Sequence, residues 1–185
     1  MIFRKHVNRT DEELMILVKN RDHQAFSILY NRYADRLNAF FFRMLWSNRE
    51  MSEDFVHDLF SKIINKPELY NEQYEVKPWL FRIASNMCKN AYRKRSFEEA
   101  YKAEHMHEEP ITTMQQEHAL DEVILTDQIH EMLDQMGEER KLIFLLKYQQ
   151  DLPIQVIAEM LDLSEGTIKS RIFYTKEKIR TSLKY

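Results

Sequence analysis

Apolar residues along this chain recur at intervals of three and four rather than two, which predicts helices and no sheet. Thr10-Asp11-Glu12-Glu13 has the form of a capping box: Thr10 can accept a backbone N–H while Glu13 reaches back. The helix it opens carries Leu14, Leu17 and Val18. A longer helix is expected from about Gln24 to Trp46, with Phe26, Leu29, Tyr30, Tyr33, Leu37, Phe40, Phe41 and Leu45 on its apolar side. A third spans about Met51 to Asn65, where Phe55, Val56, Leu59, Ile63 and Ile64 keep the spacing until Pro67 stops it. Glu68 to Lys77 has no periodicity and reads as a loop. A fourth helix starts near Pro78, a residue suited to a first helical position, carries Leu80, Ile83, Ala84 and Met87, and ends in Arg93-Lys94-Arg95.

Beyond Ser96 the pattern fades. Ser96 to His118 holds six Glu (98, 99, 104, 108, 109, 117), one Lys and Pro110, the composition of a flexible acidic linker. Periodicity then returns over Leu120 to Met136, breaks at Gly137, resumes over Glu138 to Gln150, and closes with a helix pair around Pro153. The expected architecture is all-α: two small helical domains, residues 1–95 and 119–185, joined by a flexible acidic linker at 96–118.

Composition narrows the class. Only two glycines and four prolines occur among 185 residues, too few for a turn-rich β fold. Hydrophobic residues at 44% and charged residues at 31% fit neither a membrane protein nor a disordered tail. The single cysteine, Cys88, rules out an internal disulfide framework and suits a reducing cytoplasm. No signal peptide is visible and no run approaches the roughly 18 apolar residues that span a bilayer; the expected location is the cytoplasm, at the nucleoid.

The formal net charge of −3 hides a local asymmetry. Lys77 to Arg95 contains six basic residues and no acid, and Thr167 to Lys184 contains six more against Glu177 alone. Two cationic patches on an acidic chain point to two contacts with a polyanion.

The second patch lies in a recognisable layout. Pro153 presets a short helix with Ile157, Ala158 and Leu161 on its inner edge. Asp162-Leu163-Ser164 makes a corner, and Ser164 can cap the next helix. Asp162 sits where such corners often use glycine, and aspartate tolerates the left-handed conformation better than most residues. Ile168 and Ile172 would then face inward, leaving Thr167, Lys169, Ser170 and Arg171 near the helix start to meet a major groove. This is a helix-turn-helix; the bland alternative is a helical hairpin with solvated charges. In the first patch, Tyr70, Tyr74, Trp79, Phe81 and Tyr92 are interleaved with cations, a combination suited to single-stranded DNA. Trp79, Ile83 and Ala84 share a face and are better read as core, whereas Asn86, Lys89 and Arg93 are contact candidates.

Taken in order, Asp58-Leu59-Phe60-Ser61-Lys62, Trp79-Leu80-Phe81-Arg82-Ile83-Ala84-Ser85-Asn86, Arg93-Lys94-Arg95 and Gly166-Thr167-Ile168-Lys169-Ser170-Arg171 resemble the successive motifs of extracytoplasmic-function (ECF, group IV) RNA polymerase sigma factors of the sigma-70 family. The resemblance covers about Asp11 to Leu183. It implies a factor that binds core RNA polymerase and directs promoter-specific initiation. Asp58, Leu59, Phe60 and Lys62 would dock on the clamp helices of the largest polymerase subunit, and the C-terminal domain would meet the flap. Asn86, Lys89, Asn90, Arg93, Lys94 and Arg95 would recognise and open the −10 element, with Asn86 near a flipped-out base. Thr167, Lys169, Ser170, Arg171, Tyr174 and Lys178 would read the −35 duplex. The linker would thread toward the active-site and RNA-exit channels, and a membrane-anchored anti-sigma factor is an implied partner. Two positions depart from the family pattern: Asn90 stands where an Asp is frequent, and Asp58-Leu59 precedes the docking Phe in place of a more usual pair.

Competing classes are a stand-alone helix-turn-helix regulator of duplex operators and a protein whose basic helices grip an acidic partner. His105-Met106-His107 with Glu108 and Glu109 lacks a second ligand cluster, so no metal site is expected. Without a phosphate loop, triad or paired-carboxylate motif, the expectation is no enzyme, no cofactor and no small-molecule substrate.

Overall fold

The computed structural model describes residues 6–105 and 121–183, and every regular element among them is helical. The N-terminal module contains α1 (Asp11–Lys19), α2 (His23–Met44), α3 (Arg49–Asn65) and α4 (Val76–His105), with a short 3₁₀ turn at Pro67–Leu69. The C-terminal module contains α5 (Asp121–Gln135), α6 (Glu138–Phe144), α7 (Ile154–Leu161) and α8 (Glu165–Ser182). A π turn over Leu145–Gln149 follows α6 directly.

Local chemistry explains where the first helices begin. Thr10 and Glu13 form the reciprocal capping box, with Thr10 N donating to Glu13 Oε2 at 3.0 Å and Glu13 N to Thr10 Oγ1 at 3.2 Å. Asp22 caps α2 by accepting from Gln24 N and Ala25 N, and the bond from Ala25 leads in holding its carboxyl below the usual range. Asn48 caps α3 through Met51 N at 2.9 Å.

The α2 helix is the spine of the first module. Its Leu29, Tyr33, Leu37, Phe40 and Phe41 are buried against Leu14, Met15 and Val18 of α1 and Val56, Leu59 and Ile63 of α3. Aromatic edges lock the layers: Phe40 meets Phe81 of α4 at 5.4 Å and Phe41 meets Phe55 of α3 at 5.3 Å. Below α4, Tyr70 donates to the Tyr74 carbonyl at 2.6 Å. Burial, then Glu12 and Glu72, push its pKa up to about 12, so it stays a neutral donor.

Two expectations change. The helix that carries Arg93-Lys94-Arg95 does not stop there but runs on to His105, with Lys94–Glu98 and Arg95–Glu99 pairs bracing the added turns. Residues 96–105, read above as linker, are therefore helix. The remainder of the expected linker, with Met106, His107, Glu108 and Glu109, lies outside the described residues, as does the side chain of His105.

The two modules also touch. The α4 helix packs against α7, and α2 against α6. Arg36 Nη2 donates to Gln150 Oε1 at 3.2 Å, and Gln150 is buried. Apolar contacts run without a break from the first module into Leu142, Leu145, Leu146 and Leu152 of the second.

In the C-terminal module, Gly137 joins α5 to α6 at φ +86° and ψ 155°, a region open essentially to glycine. A Cβ there would meet nothing within 4 Å, so only backbone conformation forbids a side chain. Gly137→Ala is expected to cost about 1–3 kcal/mol of unfolding free energy without disturbing neighbours, to be checked by urea unfolding followed by circular dichroism.

Candidate nucleic-acid interface

The cationic side of α4 is set by what the opposite side buries. Leu80, Phe81, Ala84 and Cys88 are in the core. One hundred degrees of rotation per residue then brings Arg82, Asn86, Asn90 and Arg93 to the outside in a single stripe, and all four are exposed. Lys94 is exposed beside this stripe, and Lys89 is half-buried on its flank. Arg95 is engaged within the molecule: its guanidinium lies 4.4 Å over the Trp46 ring, and its Nε donates to Glu99 at 2.7 Å. Arg82 was not among the expected −10 residues, although its position four before Asn86 marks it. Phe97, 71% exposed, prolongs the same stripe by one turn.

On α3, the expected docking residues separate by face. Asp58 and Lys62 are exposed, four apart. Leu59 and Phe60 are 0% and 3% exposed. The Phe60 ring lies tilted against Tyr30 at 4.7 Å and meets Phe26 edge-on at 5.9 Å, so it holds the helix from beneath. Helical spacing with Val56 and Ile63 turns Leu59 and Phe60, two of the expected docking residues, inward.

The C-terminal helix pair has the expected construction. Asp162 ends α7 in the left-handed conformation (φ 56°, ψ 49°), and Leu163 N returns to the Ala158 carbonyl at 3.0 Å. Ser164 caps α8 by accepting from Thr167 N at 3.1 Å. Ile168, Ile172 and Ile179 face inward, and Lys169, Ser170, Tyr174 and Lys178 are exposed. Thr167 is half-buried with its hydroxyl 2.9 Å from Ser164 Oγ, and Ser170 donates to the Thr167 carbonyl at 3.0 Å. Phe173, absent from the expected set, stands exposed beside Tyr174 with ring centroids 5.5 Å apart.

Arg171 is the exception. Its side chain is 28% exposed and forms an ion pair with Glu139 of α6, adjacent to the buried Ile172. It pins α8 to α6. Nearby, Lys141 is buried with its ammonium on the Asp134 carboxylate, which closes the α5–α6 corner. Neither acid carries a local sequence signal, because each looks like an ordinary surface glutamate or aspartate.

Residues 29–98 match the pattern described as Sigma-70 region 2, and residues 126–179 the one described as Sigma-70, region 4; together they cover about two thirds of the chain. The chain belongs to the sigma-70 family. The region 2 match runs from within α2 into α4, and the region 4 match from within α5 into α8. Among related proteins, the ECF RNA polymerase sigma factor SigW of Bacillus subtilis is 26% identical over 175 residues, covering 90% of this chain and 93% of that one. The ECF RNA polymerase sigma-E factor of Haemophilus influenzae is 29% identical over 186 positions, covering 94% and 95%. The fold is also that of solved structures: CnrH in complex with the cytosolic domain of CnrY (TM-score 0.69, 18% identity, 94% of this chain and 97% of that one), and RpoE in complex with the anti-sigma factor NepR from Bartonella quintana (TM-score 0.68, 23% identity, 86% and 96%). No helix among the described residues is long and apolar enough to cross a membrane.

Within region 4, the pinning role of Arg171 can be separated from DNA contact. Arg171→Ala and Glu139→Ala should each lower stability, and the double variant should lose less than their sum, with a coupling of about 0.5–3 kcal/mol in a double-mutant cycle read by thermal unfolding without DNA. Additive losses would leave Arg171 without this structural partner.

Proposed function

We propose that this chain is a group IV, extracytoplasmic-function sigma factor. It binds core RNA polymerase and directs promoter-specific initiation, with region 2 recognising and opening the −10 element and region 4 reading the −35 element as duplex. The supporting observation is the pairing, in one chain and in order, of region 2 and region 4, each presenting a cationic helix face to solvent. A stand-alone operator-binding regulator would have no use for region 2, and is disfavoured.

The residue roles follow exposure. Asp58 and Lys62 dock region 2 on the clamp helices, over the support of Leu59 and Phe60. Asn86, Asn90, Arg93 and Lys94 follow the −10 strand, joined by Arg82 and Lys89, with Arg95 steadying the helix end through Trp46. Arg and Lys neutralise phosphates, while the asparagines offer a donor and an acceptor each to base edges. On α8, Lys169 and Lys178 meet phosphates, and Thr167, Ser170 and Tyr174 reach the groove. The reaction itself is left to the polymerase; the chain contributes no catalytic group, cofactor or small-molecule site. It works in the cytoplasm at the nucleoid. The relative named in complex with an anti-sigma factor supports an inhibitor of that kind as a third partner, membrane-anchored in the native cell.

Reconstituted transcription tests the assignment. Core polymerase, the chain and genomic DNA from its own cell should yield initiation at defined start sites, and neither core binding nor specific starts would leave the regulator reading in its place. Asp58→Lys should weaken core binding by roughly tenfold or more while leaving polymerase-free DNA binding unchanged. Lys169→Ala should spare core affinity and lower the log–log salt slope of promoter binding by about one, because one phosphate contact no longer releases a counterion.

A further inference from the structure

The segment between the 3₁₀ turn and α4, residues 70–75, is exposed apart from Tyr70, yet it is tied down at several points. Two ties are its own: Asn71 Oδ1 accepts from Gln73 N at 3.0 Å, and Tyr74 N donates to the Asn71 carbonyl at 3.1 Å. Tyr70, whose hydroxyl holds the Tyr74 carbonyl from below, packs edge-on against Trp79 of α4 at 5.0 Å. The other ties come from α1. Lys19 Nζ reaches Glu72 Oε1 at 2.8 Å and lies 5.5 Å from the centre of the Tyr70 ring. Glu12 Oε1 accepts from Val76 N, the first N–H of α4, at 3.1 Å. Val76 is fully buried, so its N–H has no water to turn to, and an unmet buried donor costs about 1–3 kcal/mol. The point where the chain enters α4 is thus set by a helix 64 residues earlier.

What this loop offers to solvent is a ring. Of the aromatics expected to suit single-stranded DNA, Tyr70 and Phe81 are buried and Trp79 and Tyr92 half-buried, whereas Tyr74 is 54% exposed. It stands at the N-terminal end of α4, ahead of Arg82, Asn86, Asn90 and Arg93. The helix that braces it, α1, lies outside residues 29–98, so the match to region 2 assigns it no part in promoter recognition.

We propose that α1 braces the strand-binding loop: Glu12 and Lys19 are positioning residues that hold residues 70–75 in one shape, so that the Tyr74 ring stands ready to stack on an unpaired base. The proposal rests on the assignment of α4 as the −10 helix. A flat ring accepts any base face-on, and it binds best when it need not be ordered at the moment of contact. With the ties from α1 cut, the loop samples other shapes, and the apparent dissociation constant rises by the inverse of the fraction still in place. The sign of the effect separates this role from simple electrostatics. Glu12 and Glu72 are acids, and removing an acid beside a DNA path strengthens phosphate binding through charge alone. Here each removal should weaken it.

The test follows the fluorescence anisotropy of a short fluorescein-labelled single strand of mixed sequence, and of its duplex, with the full chain at low salt. Glu12→Ala and Glu72→Ala should each weaken single-strand binding about three- to tenfold, as fewer chains hold the loop in place, and leave duplex binding within about twofold. Glu12→Gln, which keeps an oxygen for Val76 N, should restore most of the affinity. Tyr74→Ala should weaken single-strand binding about fivefold or more, with Tyr74→Phe recovering most of the loss. In the Tyr74→Ala background, Glu12→Ala should have no further effect, whereas damage to the fold at large would add to it. Three results would each overturn the proposal: acid-to-alanine variants that bind as tightly as the parent or tighter, a Glu12→Ala loss that persists in full without Tyr74, or a parent that binds the single strand no better than Tyr74→Ala. Circular dichroism accompanies each variant; if Glu12→Ala loses helix, Glu72→Ala and its combination with Tyr74→Ala decide. Initiation with core polymerase is scored separately: if the parent fails to initiate, the sigma-factor assignment falls, whereas the single-strand comparison still judges the brace.

Discussion

Burial of Phe81, Ala84 and Cys88 along one side of α4 fixes which of that helix's side chains meet solvent. A helix cannot turn one residue outward without turning its neighbours with it. The Phe40–Phe81 contact, worth about 1 kcal/mol beyond its buried area, therefore also orients Asn86, Asn90 and Arg93, which touch neither ring. The same apolar side continues into region 4, so the residues that build region 2 are also those that seat the second module against it.

Region 4 solves the equivalent problem with charge. Its last helix, α8, is short of inward apolar surface, with Ile168, Ile172, Thr175 and Ile179 as its buried positions. The Arg171–Glu139 pair supplies the remaining constraint on its tilt, and Lys141–Asp134 braces the helix beneath. Partly buried ion pairs add little net stability, yet they penalise alternative packings in which one charge would be stranded.

Much of this was legible beforehand. The capping box at Thr10, the corner at Asp162 and the cap at Ser164 were readable because each depends on two or three adjacent residues. The end of α4 was not, since Ser96 to Lys102 buries no stripe that periodicity could register; Glu, Ala and Lys propensity and i,i+4 pairs carry those turns. Leu59 and Phe60 show a different lapse. A family motif marks a segment as important without saying which of its members face outward, and the spacing from Val56 to Ile63 held that information. Arg171, Glu139 and Lys141 could not have been sorted from surface charges, because their partners come from separate helices.

Among the described residues, five with side chains occupy positive φ at helix corners: Arg21, Trp46, Ser47, Asp151 and Asp162. Each accepts a strain of about 1–2 kcal/mol that a glycine would avoid, although a glycine would leave the unfolded chain more entropy to lose. The bends are consequently stiff. Trp46 shows what such a corner gains, since its ring props Arg95 from a bend that glycine would leave bare. In descendants of this sequence, the bends at Arg21, Ser47 and Asp151 are where glycine could drift in at little cost, while a glycine in place of Trp46 would free Arg95 and change how the neighbouring helix ends.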